Sequence, residues 1–394
     1  METPIAIGHA FTGPIRPSSH WPAFPEGVTL PPTIQETLKH IRLEKLETLA
    51  SEYRLGIPCR VNMTKFTFGG RNVIYEVEFD DEIIWIARIR VYEAAYQTSR
   101  DLSLDSEAAT LRYIKAHTSC VPVPEVYEFD SQYNNPVGSP YMFMEAMKGH
   151  QLVGGGLKDF IPDPFKPKVY HQLANIILEL STLTFSKIGW LIPCETSEVR
   201  IGPINANGES FGPFQSSIEF YWGRAASRIS ATSAMNRDVD RFRLLASSLV
   251  VDKLYNNGPF FLTHPDFSIQ NMLFNENYKI TGLVDWSHCQ TAPIESFAAV
   301  PSLVIPEPWK ARPWPLTEAE LARRELFFKI FAQVEAGFSR HLPDCPISKV
   351  QRSPRSMIAG MLDRETLLGH PIDMHLEDLR EFVLGNATTK LNVA

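Results

Sequence analysis

From Asn72 to Val91 the apolar positions change spacing twice. In "NVIYEVEF" the residues Val73, Tyr75, Val77 and Phe79 recur every second position, the period of a half-buried strand. Asp80-Asp81-Glu82 interrupts them as a polar turn, and "IIWIARIRV" returns as a more fully apolar strand. Upstream, "VNMTKFTF" runs into Gly69-Gly70 and completes an antiparallel meander. A helix follows near Ser103 to His117. Two further strands, in "VPVPEVYEFD" and "PYMFMEAM", flank the loop "SQYNNPVGS". The pattern predicts a compact α+β unit of five antiparallel strands and one helix.

The flanks have another texture. A helix is expected from Thr33 to about Tyr53, with Ile34, Leu38, Ile41, Leu46 and Leu49 as its apolar positions. Residues 1 to about 32 are rich in Pro, Gly, Ser and Thr and read as an arm without a core of its own. After Gly149 the period becomes helical. Leu173, Ile176, Ile177, Leu180 and Leu183 mark one helix, and Thr317 with Glu320 offers a capping box for a second. "DMHLEDLREFVL" is a third candidate helix. The expected division is residues 1–54 as arm and helix, 55–147 as a first lobe, and 148–394 as a mainly α-helical second lobe.

Bulk properties narrow the partners. With 394 residues, 44% of them hydrophobic, the chain can bury a real core. A formal charge of −7 with no basic stripe argues against nucleic acid as a partner and gives no attraction to anionic membrane. A cationic small molecule is the easier charged guest. Five cysteines, an odd number without any CxxC, suggest reduced thiols. No apolar run reaches the ~18 residues of a membrane span. No basic region followed by an apolar signal segment opens the chain, so a cytoplasmic location is the expectation.

The chemistry concentrates in "FFLTHPDFSIQNMLF" and, shortly after it, "KITGLVDW". A buried run delivers the chain to a loop that carries His264, Asp266 and Asn271. Met272 to Phe274 and Tyr278 to Val284 can pair as a hairpin around Asn275-Glu276-Asn277, which brings Asp285 to the end where the loop begins. Two carboxylates and a carboxamide are hard oxygen ligands. Mg²⁺ takes a few of these and completes its shell with substrate phosphates.

This pair of segments resembles the signature of the aminoglycoside phosphotransferase (APH) family, in its eukaryotic or fungal-like small-molecule kinase form. The family pattern is H-G-D-x-x-x-x-N followed, after a short hairpin, by [IV]-D-[WF]. His264, Asp266 and Asn271 match the first element, Asp285 and Trp286 the second, and "APIESFA" resembles the segment beyond. The resemblance spans about Phe66 to Leu303. It implies a bilobed protein-kinase-like fold and an ATP- and Mg²⁺-dependent phosphotransferase that moves the γ-phosphate to an alcohol group of a small molecule. Asp266 would be the catalytic residue, with Asn271 and Asp285 as metal ligands.

Upstream, the resemblance implies that the turn at Gly69, Gly70 and Asn72 covers the nucleotide phosphates. A basic residue on the third strand would hold them. Arg88 and Arg90 both stand there; Arg88 is favoured, oriented by Glu107, whose place beside Leu111 and Ile114 on the helix stripe calls for a charged partner. Backbone groups from Glu145 to Met147 would meet the adenine edge. The sequence departs from the family at Pro265, where Gly is usual, at the incomplete glycine turn, and at Arg88, where Lys is usual. These departures keep open an ATP-binding pseudokinase acting as scaffold or regulator. A protein kinase ranks last, because "DWSHC" replaces D-F-G and no A-P-E follows. Glu295, Glu307, Asp363 and Glu365 are candidate acidic contacts for a cationic acceptor, and Trp309 and Trp314 candidate cleft residues.

Overall fold

The computed structural model describes residues 29–92, 100–152, 161–194, 198–206, 209–231, 247, 249–304, 317–340, 346–353, 355–356, 358–360 and 362. It divides into two compact units. The first contains the described residues of Met1–Ala116, Pro122–Val153 and Gln270–Ser287; the second contains those of His117–Val121, Gly154–Ile269 and His288–Ala394.

The first unit is built on one sheet. Strands β1 (Cys59–Phe68), β2 (Asn72–Phe79), β3 (Ile84–Arg90), β4 (Val126–Asp130) and β5 (Tyr141–Glu145) pair antiparallel in the order β1-β2-β3-β5-β4. The alternation read from the sequence sets the two faces. Val73, Tyr75, Val77, Phe79, Trp85, Ala87, Ile89, Tyr141 and Phe143 form a buried apolar layer. Their alternates lie on the other face, where Asn72 pairs with Arg90 and Ile74 with Arg88. That face carries charge because helix α3 (Leu102–His117) brings Ser103 and Glu107 to it.

The apolar face is covered by the N-terminal helices. Ile34, Ile41, Leu43, Leu46 and Ala50 join its core. The single helix expected over Thr33–Tyr53 is two, α1 (Pro32–His40) and α2 (Leu43–Tyr53). Ile41 leaves the helix in extended conformation, and the Arg42 backbone N–H donates to Val137 O at 2.9 Å, a bond a continuous helix would forfeit. The break also lets Ile41 and Leu43 both reach the core. Leu46 is fully buried, so Leu46→Ala is expected to destabilise this unit by about 2–5 kcal/mol, read from denaturant unfolding. A change under about 0.5 kcal/mol would show that α2 contributes nothing to the core.

The rest of the first unit is the hairpin β12 (Met272–Phe274) and β13 (Ile280–Leu283), turning at Asn275 to Tyr278 as the sequence suggested. Phe274 and His150 exchange backbone hydrogen bonds of 2.9 Å. Gly149 is required beside them: its φ is +120°, and an added Cβ would stand 2.9 Å from Phe274 O.

The second unit mixes helices with short strands. Helix α4 (Lys166–Ser181) packs on the helix Glu318–Gly337, with the Tyr170 and Phe327 rings edge to face at 5.6 Å. The latter helix starts with the expected capping box between Thr317 and Glu320. α5 (Ser217–Ala231) contributes Phe220 and Tyr221 to a second core with Ile188, Val250, Phe260 and Ile358. β7 (Trp190–Pro193) pairs with β8 (Val199–Gly202), β9 (Ile204–Ala206) with β10 (Glu209–Phe211), and β11 (Phe260–Thr263) is the centre of a three-stranded sheet between β6 (Thr184–Phe185) and β14 (Gln290–Ala292). The segment "DMHLEDLREFVL" lies outside the described residues.

Candidate functional site

Three local structures position the side chains singled out by sequence. The first is the buried ion pair. Arg88 and Glu107 are 8% and 1% exposed, and Arg88 Nη1 donates to Glu107 Oε1. Ser287 completes a ring: its hydroxyl donates to Glu107 Oε2 at 3.0 Å and accepts from Arg88 Nη2 at 3.2 Å. Burial works against the charge of Arg88, but Glu107, and after it Asp285, outweigh burial and raise the pKa of the guanidinium. Arg88 is therefore a fixed cation.

The second structure is the end of the β12–β13 hairpin. Val284 N–H donates to Asn271 O at 2.9 Å, which extends the pairing one step past Met272 and Leu283. Asn271 and Asp285 thereby stand at the same open end. Asp285 has φ +62°, a left-handed conformation that Asp tolerates better than most residues and that tends to mark functional positions. Its side chain is 54% exposed, and its Oδ1 lies 3.6 Å from Arg88 Nη2. Trp286 behind it is fully buried and donates from Nε1 to Leu283 O at 3.1 Å, so the aromatic residue anchors the turn that presents Asp285.

The third structure is the loop after β11. His264 is buried, and its Nδ1 accepts the backbone N–H of Asp266 at 3.1 Å, across Pro265. A backbone N–H can only donate, so Nδ1 is unprotonated and a neutral ring carries its proton on Nε2. Asp266 O accepts from Ser268 N–H at 2.8 Å. These two bonds use the loop's own backbone and one histidine nitrogen, and neither needs an N–H at Pro265.

Gly69 and Gly70 are exposed in the β1–β2 turn, closed by Gly69 N–H to Asn72 O at 3.0 Å; a Cβ on either would meet nothing within 4 Å. Glu145 ends β5, and its carboxylate accepts from Lys115 Nζ at 3.2 Å and Glu125 N–H at 3.1 Å. Met147 sits against Gly282, where an added Cβ would come 3.3 Å from Met147 Cβ. Glu295 is not a surface contact for an acceptor: it is 1% exposed and accepts Asp252 N–H at 2.7 Å, and burial pushes its pKa up. Glu307, Trp309, Trp314, Asp363 and Glu365 lie outside the described residues.

Two contributors were not anticipated from sequence. Ser287 carried no signal of its own, since a serine two places after an aspartate is unremarkable. Asp101 was legible in principle, as an acidic residue just before a helical pattern. It caps α3 by accepting from Ser103 N–H at 2.9 Å and Leu104 N–H at 3.1 Å. Burial opposes its ionisation, but Arg90, Ser103 and the Leu104 N–H prevail and lower its pKa.

Among the described residues no group of three or more His, Cys, Asp or Glu side chains could hold an ion unaided. An exposed carboxylate and a carboxamide at one hairpin end instead fit a hard cation that draws its remaining ligands from substrate oxygens and water. The buried, carboxylate-held guanidinium of Arg88 stands beside this exposed carboxylate.

The family follows from comparison. The model of the APH phosphotransferase enzyme family matches residues 69–296, more than half of the chain, and the protein belongs to that family. No curated protein matches it. Among solved structures it is similar to a thermostable mutant of aminoglycoside phosphotransferase APH(4)-Ia in ternary complex with AMP-PNP and hygromycin B, at 15% identity and TM-score 0.49, covering 85% of this chain and 94% of that one. It is also similar to the macrolide 2'-phosphotransferase MphH from Brachybacterium faecium, at 14% identity and TM-score 0.45, covering 86% and 97%.

Proposed function

We propose that the protein transfers the γ-phosphate of ATP, with Mg²⁺, to a hydroxyl group of a small molecule. One observation carries the reading. Arg88, locked by Glu107 and Ser287, lies 3.6 Å from an exposed Asp285 held in a left-handed turn. In this reading Arg88 holds nucleotide phosphates and Glu107 orients it. The turn at Gly69, Gly70 and Asn72 covers the phosphates, and backbone groups near Glu145 and Met147 meet the adenine edge.

Asn271 and Asp285 would hold Mg²⁺, which when bound neutralises phosphate charge. Asp266 accepts the proton of the acceptor hydroxyl as its oxygen attacks phosphorus and ADP leaves. Little covalent work falls to the protein; positioning and charge placement dominate. Arg at position 88 suits the task differently from Lys. It is a planar fork that can serve Glu107 with one nitrogen and aim another towards Asp285.

ATP with Mg²⁺ is expected to raise the thermal midpoint, and ATP with EDTA to raise it much less. At a ligand concentration about 100 times Kd the stabilisation is ~2.7 kcal/mol. Asp285→Asn should abolish the Mg²⁺-dependent part. A ³²P-transfer panel of amino-alcohols, sugars and aminoglycosides then identifies the acceptor class. A wild-type protein whose midpoint ignores ATP and Mg²⁺ would refute the reading; metal-dependent binding without transfer to any acceptor would make it a pseudokinase scaffold.

A further inference from the structure

Arg90 is the arginine that the phosphate role leaves without a task, yet it is the more deeply buried of the two, at 4% exposure. Its guanidinium reaches four side chains. Nε donates to Asp101 Oδ2 at 2.7 Å, Nη2 to Ser103 Oγ at 3.0 Å, and Nη1 to Asn72 Oδ1 at 3.0 Å; Nη2 also lies 3.7 Å from Glu107 Oε2. Asp101 is the cap of α3, and Glu107 is the partner of Arg88. Asn72 closes the glycine turn through its carbonyl. One buried cation therefore joins the start of α3, the ion pair and the turn.

The contact with Asn72 has a chemical direction. A carboxamide has one accepting end and one donating end, and a guanidinium can only donate. Arg90 must therefore take Oδ1, which leaves the Nδ2 amide group at the opposite end. Two N–H donors beside a glycine turn suit an anion, above all phosphate oxygens. Without Arg90 the amide could turn over and present an acceptor oxygen, which phosphate repels.

We propose that Arg90 is a positioning residue for the nucleotide: it holds Asn72 by its oxygen so that the Asn72 amide donates to a phosphate oxygen of ATP. This rests on the kinase reading above and adds to it a phosphate ligand and the group that orients it.

Asn72→Asp separates the roles. The new carboxylate still accepts from Arg90, as an ion pair, so the fold keeps or gains stability. It also removes both donors and places a negative charge near the phosphates. The dissociation constant for ATP·Mg²⁺ is expected to rise at least about tenfold, while that for adenosine, which has no phosphate, stays unchanged. Arg90→Lys keeps the charge but loses the fork, and should weaken ATP·Mg²⁺ by a comparable factor with adenosine again unaffected.

Both constants are measured by calorimetry alongside the thermal midpoint. If Asn72→Asp binds ATP·Mg²⁺ as the wild type does, or loses adenosine equally, the inference is overturned and Arg90 is only a support of α3. Should Arg90→Lys fail to fold, Asn72→Asp alone decides. A wild-type protein that binds no ATP·Mg²⁺ overturns the kinase reading itself, and this inference with it.

Discussion

Asp266→Asn is expected to leave ATP·Mg²⁺ affinity within about threefold of wild type and to lower phosphoryl transfer by about 10²–10⁴-fold, the usual contribution of a positioned general base. The loop should survive the change. Its described hydrogen bonds use the Asp266 backbone N–H, held by His264 Nδ1, and the Asp266 carbonyl, held by Ser268 N–H. Asparagine matches the side chain in size; it removes the charge and basicity and puts an NH₂ donor where one acceptor oxygen stood. Calorimetry gives the affinity, and single-turnover transfer of ³²P to the acceptor found by the panel gives the rate. Wild-type turnover in this variant would remove Asp266 from the chemistry, and loss of nucleotide binding would make it part of the binding site.

How much of this was legible in the sequence depends on the range of the interactions. Period-two alternation in β2 gave both the strand and its buried face, because Val73, Tyr75, Val77 and Phe79 answer to local geometry and one core. The hairpin around Asn275 was readable from turn chemistry, and the Thr317 capping box from two residues three apart. The pairing of Arg88 with Glu107 was inferable because a carboxylate on an apolar stripe needs a partner.

What stayed hidden depends on long-range fit. The break at Ile41 is decided by a carbonyl at Val137 that no local pattern reports. Ser287 meets Arg88 across 199 positions of sequence. Glu295 read as an acidic contact for a cationic acceptor, yet it is buried and taken by the Asp252 backbone. Arg88 and Arg90 looked interchangeable by spacing, since both point to one face of β3. Their partners along α3 separate them: Arg90 meets its cap and Arg88 its second turn.

Glu107→Gln should be the most destabilising single change in the first unit among those proposed. It leaves Arg88 buried with the half-exposed Asp285 and, after it, Asp101 as its countercharges, and it weakens the second link to Arg90 at 3.7 Å. Breaking one side of a buried pair costs about 3–5 kcal/mol, because the remaining charge keeps its desolvation penalty. A fall of about 6–20 °C in the thermal midpoint corresponds to that cost for a unit of this size. The double replacement Arg88→Met with Glu107→Leu removes both charges and should recover much of the loss, since apolar residues of similar volume often replace a buried pair without penalty. It should not recover ATP·Mg²⁺ binding. That contrast separates what the pair does for the fold from what it does for the nucleotide. A double variant that bound ATP·Mg²⁺ normally would show that the buried pair serves only packing, and a Glu107→Gln protein with an unchanged midpoint would show that Arg88 is held by other groups.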